Sequence, residues 1–297
     1  MREVRHRATG GGDADPDLPE DWLDVVEGGI ERLRGPNKGK EDEERKTLDE
    51  VFDHATLLVL YRFITRGFIQ TLDYPVSTGK EGNVFHATAA DGSSVAVKIY
   101  RTNTATFHNL MPYIEGDPRF GKIGRGHRDL VHVWAQKEYK NLQRLVEAGV
   151  RAPIPQAHLA NVVIMEFVGT EGTPAPLVKD RPFDDAQKAY DAIVANYRRM
   201  YRDAGLVHGD LSEFNILHHH KAGTGCPAGD ELVIIDVAQS VLVRHPFARE
   251  LLERDAKNVA RYFTKQGLKL SPDAVKADLR GPDPVEVKDD DEEEEDD

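Results

Sequence analysis

The stretch from His208 to Asn215 carries side chains suited to phosphoryl transfer. Asp210 and Asn215 are five positions apart, and on a short loop the carboxylate can orient or deprotonate an attacking hydroxyl while the amide helps to hold Mg²⁺. Asp236 ends the apolar run Leu232–Ile235 and would supply a second hard oxygen ligand. The alternative is that Asp210 caps a turn and Asn215 bonds nearby backbone. The elements upstream must decide between these two interpretations.

A glycine-containing hairpin precedes this stretch in the chain. Val76–Ala87 predicts two strands joined by a turn that contains Gly79 and Gly82. Because Gly has no Cβ, backbone N–H groups in such a turn can approach phosphates closely. The spacing of a Walker A loop is absent, and a hairpin with two glycines is more often only a hairpin. The hairpin alone therefore does not establish a nucleotide site.

A lysine occupies the next predicted strand. Val95–Tyr100 alternates so that Lys98 shares one face with Ala96 and Tyr100. A Lys in an apolar strand is costly to bury without a partner. Glu138, on a helix predicted from about residue 130 to 148, could reach Lys98 and hold its ammonium in place to bind nucleotide phosphates. The hairpin and the lysine strand together favour a nucleotide site more than either does alone.

The segments that flank these motifs differ in predicted structure, since some are helical and others flexible. Thr47–Glu50 forms a capping box that predicts a helix continuing to about Gly67. Residues 1–45 are rich in Gly, Pro and charge, so we expect a flexible arm with a possible short helix at Leu23–Ile30. Residues 101–129 have little periodicity and predict a flexible loop, for which RNA contact and simple solvation are equally open. Its cations are Arg101, Arg119, Lys122, Arg125 and Arg128.

The C-terminal half is predicted to be mainly helical. Val162–Val168 indicates a buried strand, and helices are predicted over Phe183–Ala204, Phe247–Thr264 and Ser271–Leu279. His218–His220 looks like a metal-binding tract. Consecutive residues of a strand cannot all face one ion, however, so exposed histidines are expected instead.

Composition restricts the class of protein. The formal net charge is −13 over 297 residues, and nine acidic residues form the run Asp289–Asp297. The rest is only mildly acidic, so nucleic-acid binding would need a local basic patch. The single cysteine, Cys226, excludes an internal disulfide. No signal peptide and no apolar run of about 20 residues is present, so we expect a cytoplasmic protein without membrane contact.

Several long motifs stand in one order along the chain. They are Ser77–Phe85, Met111–Phe120, Trp134–Glu138, His208–Asn215 and Ile234–Asp236. With them the sequence resembles the RIO family of atypical serine kinases, most closely archaeal members of its type 1 subfamily, over roughly residues 46–280. Asp236 is followed by Val237–Ser240 rather than Phe-Gly, and no Ala-Pro-Glu follows. Gly82 stands where the family is expected to have Ala, which we expect to loosen the loop.

The resemblance implies an α+β, bilobal, protein-kinase-like fold. Residues 46–167 would form an N-lobe with an antiparallel sheet and an extra N-terminal helix, and residues 168–280 a truncated helical C-lobe without an activation segment. Residues 281–297 would be a disordered acidic tail. The resemblance further implies ATP with Mg²⁺ or Mn²⁺, serine autophosphorylation, and a role in maturing the small ribosomal subunit, with pre-subunit protein and rRNA as partners.

The resemblance also assigns roles to residues. Asp210 would be the catalytic base, Lys98 would position phosphates, and Asn215 and Asp236 would hold the metal. Asp236 would also accept phosphate transiently, and the backbone of residues 166–168 would pair with adenine. The expected nucleotide-binding residues are Ser77, Thr78, Gly79, Lys80, Glu81, Gly82, Val84, Lys98, Glu138, Met165, Glu166 and Val168.

Two other hypotheses stay open at this stage. Small-molecule phosphotransferases of the aminoglycoside and choline type share the His-Gly-Asp loop, but they need a substrate pocket of C-terminal helices. Little more than 80 residues follow Asn215, which makes this the poorer fit. The other hypothesis is a ribosome-assembly binding factor that holds ATP with negligible turnover. The intact set Lys98, Asp210, Asn215 and Asp236 argues against it.

Overall fold

A five-stranded antiparallel sheet forms the N-terminal lobe. The computed structural model describes residues 19, 21–30, 52–102, 110–121, 124, 126–181, 183–220 and 230–281. The sheet order is β1-β2-β3-β5-β4, and every neighbouring pair is antiparallel. The strands are β1 (Thr71–Thr78), β2 (Gly82–Thr88), β3 (Ser94–Tyr100), β4 (Pro155–Leu159) and β5 (Val162–Glu166). Gly79–Glu81 closes the predicted hairpin between β1 and β2.

Strand β3 confirms the predicted alternation. Val95, Val97 and Ile99 are fully buried in an apolar cluster with the N-terminal helices. Ala96 and Tyr100 belong to the other, larger core, on the side where Lys98 faces the cleft. Side chains alternate along a strand, so a single strand separates packing from chemistry.

Two helices cover the outer face of the sheet. Helix α1 (Trp22–Ile30) buries Trp22, Val26 and Ile30, and the Trp22 ring meets the Tyr61 ring edge-on at 6.1 Å. The short helix considered at Leu23–Ile30 is therefore confirmed, and a flexible arm is wrong for these residues, because their apolar stripe is buried on the lobe. Helix α2 (His54–Thr65) begins at Asp53, whose Oδ1 accepts from the Thr56 N–H at 2.8 Å. A continuous helix from the capping box is wrong as well, and residues 47–50 lie outside the described residues.

The segment after β3 is more ordered than predicted. Within residues 110–121, a short helix α3 (Met111–Ile114) is followed by turns, and Leu110, Ile114 and Phe120 are buried. A flexible loop is therefore wrong for this part, because these apolar side chains enter the main core without any regular spacing. Residues 103–109, 122–123 and 125 lie outside the described residues. Helix α4 (His127–Glu147) begins three residues before its predicted start.

The second lobe is mainly helical. Its helices are α5 (Ala186–Arg202), α6 (Ala248–Lys265) and α7 (Pro272–Arg280), and the Oγ of Ser271 caps α7 as predicted. Short strands pair as β6 (Gly169–Thr170) with β7 (Thr173–Pro174), β8 (Leu206–Val207) with β11 (Val241–Leu242), and β9 (Ile216–His220) with β10 (Asp230–Ile234). His218 and His219 are buried in β9, so the prediction of exposed histidines holds only for His220.

Only a short connection leads from Asp236 to helix α6. Residues 237–247 contain β11 and turns, and Ala248 begins the helix. This matches the predicted C-lobe without an activation segment. In the described part of the chain no helix combines the length and apolar character needed to cross a membrane.

Candidate active site

The Lys98 ammonium lies on the wall of the cleft between the lobes. Its Nζ is 2.6 Å from Oε1 of Glu138 on α4 and 3.0 Å from Oδ1 of Asp236. The Tyr100 hydroxyl donates to the other Glu138 oxygen. Glu138 is buried, whereas the Asp236 side chain is 48% exposed because it faces the open cleft. The predicted Lys98–Glu138 pair is therefore present, and it extends to the predicted metal ligand.

These charges set one another's protonation. Burial lowers the pKa of Lys98, but the carboxylates of Asp236 and Glu138 outweigh burial and hold this pKa well above its ordinary value. The Lys98 ammonium in turn lowers the pKa of Asp236. Lys98 therefore stays cationic and Asp236 anionic at neutral pH, which are the states that phosphate and metal binding require.

The loop His208–Asn215, called the catalytic loop below, supports both interpretations of Asp210 and Asn215. The Asn215 amide nitrogen donates to the Asp210 carbonyl at 2.9 Å, so Asn215 does bond nearby backbone. That bond turns the two side chains to one side of the loop, with Nδ2 of Asn215 3.4 Å from Oδ2 of Asp210. The structural role thus positions the chemical groups rather than replacing them.

The Asp255 carboxylate fixes the backbone of this loop. Its carboxylate accepts from the Gly209 N–H at 2.8 Å, the Leu211 N–H at 2.7 Å and the Tyr197 hydroxyl at 2.6 Å. Asp255 is fully buried. The sequence analysis missed this residue, although an acidic side chain on the apolar stripe of α6, directly before Ala256, is a readable signal.

The phosphate-loop candidate is an exposed turn. Ser77, Thr78, Gly79 and Lys80 are exposed, and the Gly79 N–H donates to the Gly82 carbonyl at 2.9 Å. Thr78 pairs with Asn83, so its side chain lies on the opposite face of the sheet from Ser77, which pairs with Val84. Thr78 does not line the cleft, and its predicted part in nucleotide binding stays a prediction.

Close contact with the neighbouring strand explains why position 82 is a glycine, which the sequence analysis did not foresee. A Cβ on Gly82 would lie 2.5 Å from the Ile99 carbonyl oxygen and 3.1 Å from Cα of Tyr100. Glycine therefore permits a close approach of β2 to β3, whereas the expected loosening of the loop stays a prediction. Next to it, burial and the negative charge of Asp236 raise the pKa of Glu81, which also faces the cleft.

The cleft between the lobes has a volume of about 680 Å³. This is within the range of about 300–1,000 Å³ that is usual for small-ligand sites. Of the predicted site residues it is lined by Ser77, Gly79, Lys80, Glu81, Gly82, Val84, Lys98, Glu138, Met165, Glu166, Val168, Asn215 and Asp236. Asp210 lies outside this lining, next to Asn215. That placement suits a residue that acts on the acceptor rather than on the nucleotide.

Several lining residues were not predicted. They are Val76, Ala96, Tyr100, Leu142, Pro153, Pro174, Ala175, Pro176, Leu177, Asp180, Phe214, Leu217 and Ile235. Ala96 and Tyr100 share the face of Lys98, so strand alternation could have found them. Residues 174–177 come from a connection without any local signal, and only the fold brings them to the cleft.

Residues 166–168, at the end of β5 and directly after it, are called the hinge here. The Glu166 carboxylate is bound by the Arg151 guanidinium, through contacts of 2.7 and 2.8 Å. The Val168 carbonyl accepts from the Ala175 N–H at 3.0 Å. Pairing of this backbone with adenine stays a prediction.

A side-chain bridge crosses the hinge end of the cleft. The Tyr74 hydroxyl on β1 donates to the Gly172 carbonyl in the β6–β7 turn. The Tyr74 ring stacks on the His86 ring at 4.8 Å, and His86 meets the Phe167 ring edge-on at 4.6 Å. The N-lobe is thus tied to the hinge at this edge, whereas the phosphate-loop edge is open.

The residues present fit a nucleotide with a hard cation. In the described ranges no three His, Cys, Asp or Glu side chains converge as a metal cluster. Asn215 and Asp236 offer one amide and one carboxylate, and Mg²⁺ is usually held by one or two carboxylates together with substrate phosphates. Since the apolar walls suit a nucleobase, the site matches a metal–nucleotide pair better than a free metal ion.

A nucleotide-sized cleft between a β-lobe and a helical lobe, with its charges at the inner end, is the arrangement of protein-kinase-like phosphotransferases. The comparisons with known proteins agree. A family model described as the RIO domain matches residues 83–277, and the chain belongs to the RIO family.

Relatives of this family are named serine/threonine-protein kinases. The Rio1 kinase of Haloferax volcanii is 42% identical over 80% of this chain and 78% of that protein. The Rio1 kinase of Methanocaldococcus jannaschii is 38% identical over 75% and 73%. Human RIO1 is 37% identical over 84% of this chain, which spans only 44% of that longer protein. The predicted family and enzyme class are confirmed.

The fold is also found among solved structures. The Rio2 kinase of Chaetomium thermophilum, in a complex with ADP, Mg²⁺ and phosphoaspartate, has a TM-score of 0.61 and 23% identity. The match covers 89% of this chain and 86% of that chain. At this identity the likeness establishes the fold, and the predicted bilobal α+β class is confirmed.

Proposed function

We propose that the protein is an ATP-dependent serine/threonine kinase that uses Mg²⁺ or Mn²⁺. The observation that carries the proposal is the contact of one buried ammonium, Lys98, with both Glu138 and Asp236 at the wall of the cleft. A kinase needs a fixed cation for the phosphates next to the metal ligand, and this contact supplies both.

The side chains divide the work. Lys98 binds the α- and β-phosphates, and Glu138 keeps its ammonium at one position. Asn215 and Asp236 would hold the metal ion, which neutralises phosphate charge when bound. Asp210, at the outer side of Asn215, accepts the proton of the attacking hydroxyl. The exposed turn residues Gly79 and Lys80 line the cleft and would lie next to the terminal phosphates.

The physiological role is the second part of the proposal. We propose serine autophosphorylation and action on the immature small ribosomal subunit, at its protein and rRNA. RNA contact by the predicted basic loop has less support than its sequence suggests. Arg119 is paired with the buried Asp117 at 2.8 Å, and Arg128 lies 3.2 Å from Asp53. Lys122 and Arg125 lie outside the described residues.

A specific observation favours a second candidate, an ATP-driven switch. The Asp236 carboxylate is accessible from the cleft, and the Rio2 structure contains a phosphoaspartate. In this candidate an Asp236 oxygen attacks the γ-phosphorus and the bond to the ADP oxygen breaks. Water then hydrolyses the acyl phosphate and restores Asp236. The net reaction is ATP hydrolysis.

A single-turnover assay with γ-labelled ATP and Mg²⁺ separates the candidates. It is run with and without immature small-subunit particles, and is quenched in acid or in hydroxylamine. Acid-stable label on Ser or Thr supports the kinase. Hydroxylamine-labile label that is absent from Asp236→Asn supports the switch. ATP binding without any label or ADP would instead support the binding factor with negligible turnover. ADP release accelerated by small alcohols or aminoglycosides would support the small-molecule phosphotransferase, which the family assignment disfavours.

A further inference from the structure

Two buried polar side chains of helix α4 reach the segment that follows Asp236. Lys137 donates to the Ala238 carbonyl at 3.0 Å and also to the Ser240 carbonyl. The Asn141 amide donates to the Val237 carbonyl at 2.7 Å and the Ser240 carbonyl at 3.2 Å. Both side chains have zero exposure. Neither lines the cleft, and the mechanism above uses neither.

Burial of these two groups needs a reason. A fully buried Lys costs free energy because its ammonium loses water; the nearby Arg119 cation adds to this cost, and Asp117 offsets it only in part. Lys137 and Asn141 are one helical turn apart, so they present donors to the same surface. Together they bind three carbonyls of residues 237–240, where regular secondary structure supplies no ladder partners.

The bound segment starts at a residue with unusual backbone. Asp236 has a φ of 60°, in the left-handed region that a side chain with a Cβ disfavours. Such a conformation persists only where the surroundings fix it. Ser240 links this segment to the catalytic loop, because its Oγ donates to the His208 carbonyl at 3.3 Å.

The same helix also carries Glu138. On α4, Glu138 therefore contacts Lys98, and the preceding residue, Lys137, contacts the segment that follows Asp236. A displacement of α4 would move the phosphate-binding cation and the metal ligand together, so the two halves of the site are assembled as one unit.

We propose that Lys137 and Asn141 are positioning residues that hold the Asp236 carboxylate in its metal-binding orientation. They do so by fixing the backbone of residues 237–240, in place of the activation segment that ordinary kinases use. The inference rests on the proposed function of Asp236 as a metal ligand, and it adds two residues that do not touch nucleotide or metal.

The test uses the full chain with Lys137→Met and, separately, Asn141→Leu, which keep side-chain size and remove the donors. Lys140→Met is the matched control, since Lys140 is a half-buried residue of the same helix and its side chain lies over the Phe120 ring. Three quantities are measured: hydrogen exchange of the peptide covering 237–243 without nucleotide, the Mg²⁺ concentration for half-maximal turnover, and ATP affinity in EDTA.

We expect exchange in 237–243 to become at least about tenfold faster, and the required Mg²⁺ to rise about 10- to 100-fold, as for other outer-sphere supports of metal ligands. ATP affinity in EDTA should stay within about twofold, because neither side chain lines the cleft. A purely structural role would lower all activity without changing the Mg²⁺ requirement. If Lys137→Met does not fold, Asn141→Leu decides by the same readouts.

The outcomes separate the two proposals. Folded variants with wild-type exchange and wild-type Mg²⁺ requirement would overturn the inference and leave the kinase intact. A wild type without Mg²⁺-dependent turnover would remove the proposed function. The inference, which rests on Asp236 as a metal ligand, would then fall with it, whatever the exchange result.

Discussion

The phosphate-loop edge and the catalytic-loop edge of the cleft are built in opposite ways. At the phosphate loop, Ser77 to Lys80 are exposed and a single backbone bond, from Gly79 to Gly82, closes the turn. At the catalytic loop, His208, Gly209 and Leu211 are buried, and Asp255 accepts two of their backbone N–H groups. One edge is therefore left for the ligand to order, and the other is fixed before any ligand binds.

The difference separates binding from chemistry. Groups that act on the reacting atoms gain from fixed positions, because a displacement of about 1 Å can cost 10²-fold in rate. Groups that wrap phosphates gain from mobility, because the nucleotide must enter and leave. Changes at the fixed edge should therefore affect turnover and folding, and changes at the open edge should affect nucleotide binding.

The largest effect is expected at Asp210. Asp210→Ala should lower kcat by a factor of about 10²–10⁴, the usual contribution of a general base. ATP affinity should hardly change, because Asp210 lies outside the cleft lining. Steady-state kinetics with ATP as the varied substrate measures both quantities. Lys98→Met should show the opposite pattern, with weakened ATP binding, and an exchange of the two patterns would refute the assigned roles.

Asp255 tests whether the catalytic edge is fixed by burial. Asp255→Ala would leave two backbone N–H groups and the Tyr197 hydroxyl without their acceptor. Each unsatisfied buried group costs about 1–3 kcal/mol, so we expect the free energy of unfolding to fall by about 3 kcal/mol or more. Urea unfolding measures this. Glu250→Ala, at an exposed position of the same helix, should leave the midpoint unchanged, and equal effects of both variants would contradict the comparison.

Glycine substitutions compare the open turn, at Gly79, with the start of the packed strand β2, at Gly82. Gly82→Ala should lower the free energy of unfolding by about 1–3 kcal/mol, since the new methyl group would overlap the Ile99 carbonyl. Gly79→Ala should cost less, because its Cβ would meet only the Gly82 carbonyl, at 3.2 Å. Thermal unfolding of both variants provides the measurement. A larger loss for Gly79→Ala would show that the turn, rather than the β2–β3 contact, is the constrained point.

The smallest effect is a pH dependence at Lys137. Burial lowers the pKa of Lys137 to about 7, compared with 10.5 in its ordinary state. Between these values the unfolded chain binds a proton that the folded chain does not, so stability rises with pH, by at most about 1.4 kcal/mol per unit. Urea unfolding at pH 7, 8 and 9 should show a shallower rise for Lys137→Met than for the wild type. Parallel curves would contradict the lowered pKa.

Local patterns predicted the Lys98–Glu138 pair because both residues lie on regular elements. Alternation along β3 placed Lys98, and the helix through Glu138 gave it a partner at the observed contact. The same rules failed where burial rather than period decides. Leu110 and Phe120 are buried from a segment without regular spacing, and Asp53 caps α2 although a stronger capping box precedes it.

Other features depend on contacts between distant parts of the chain. Asp255 is 45 residues from Asp210, and only the packed fold brings its carboxylate beneath the loop. The orientation of Thr78 follows from the register of β1 with β2, which the hairpin sequence did not fix. Gly82 was interpreted through its own flexibility, whereas the neighbouring strand determines its role.

The bridge from Tyr74 to Gly172 has a consequence for the timing of the catalytic cycle. It joins β1 to the hinge side of the cleft, so we expect the lobes to separate by rotation about this edge while the phosphate side widens. Spent nucleotide would then leave with its phosphates first, and its residence time would depend on the exposed turn at residues 77–80. The mobility of this turn would then determine how quickly ADP is exchanged for ATP.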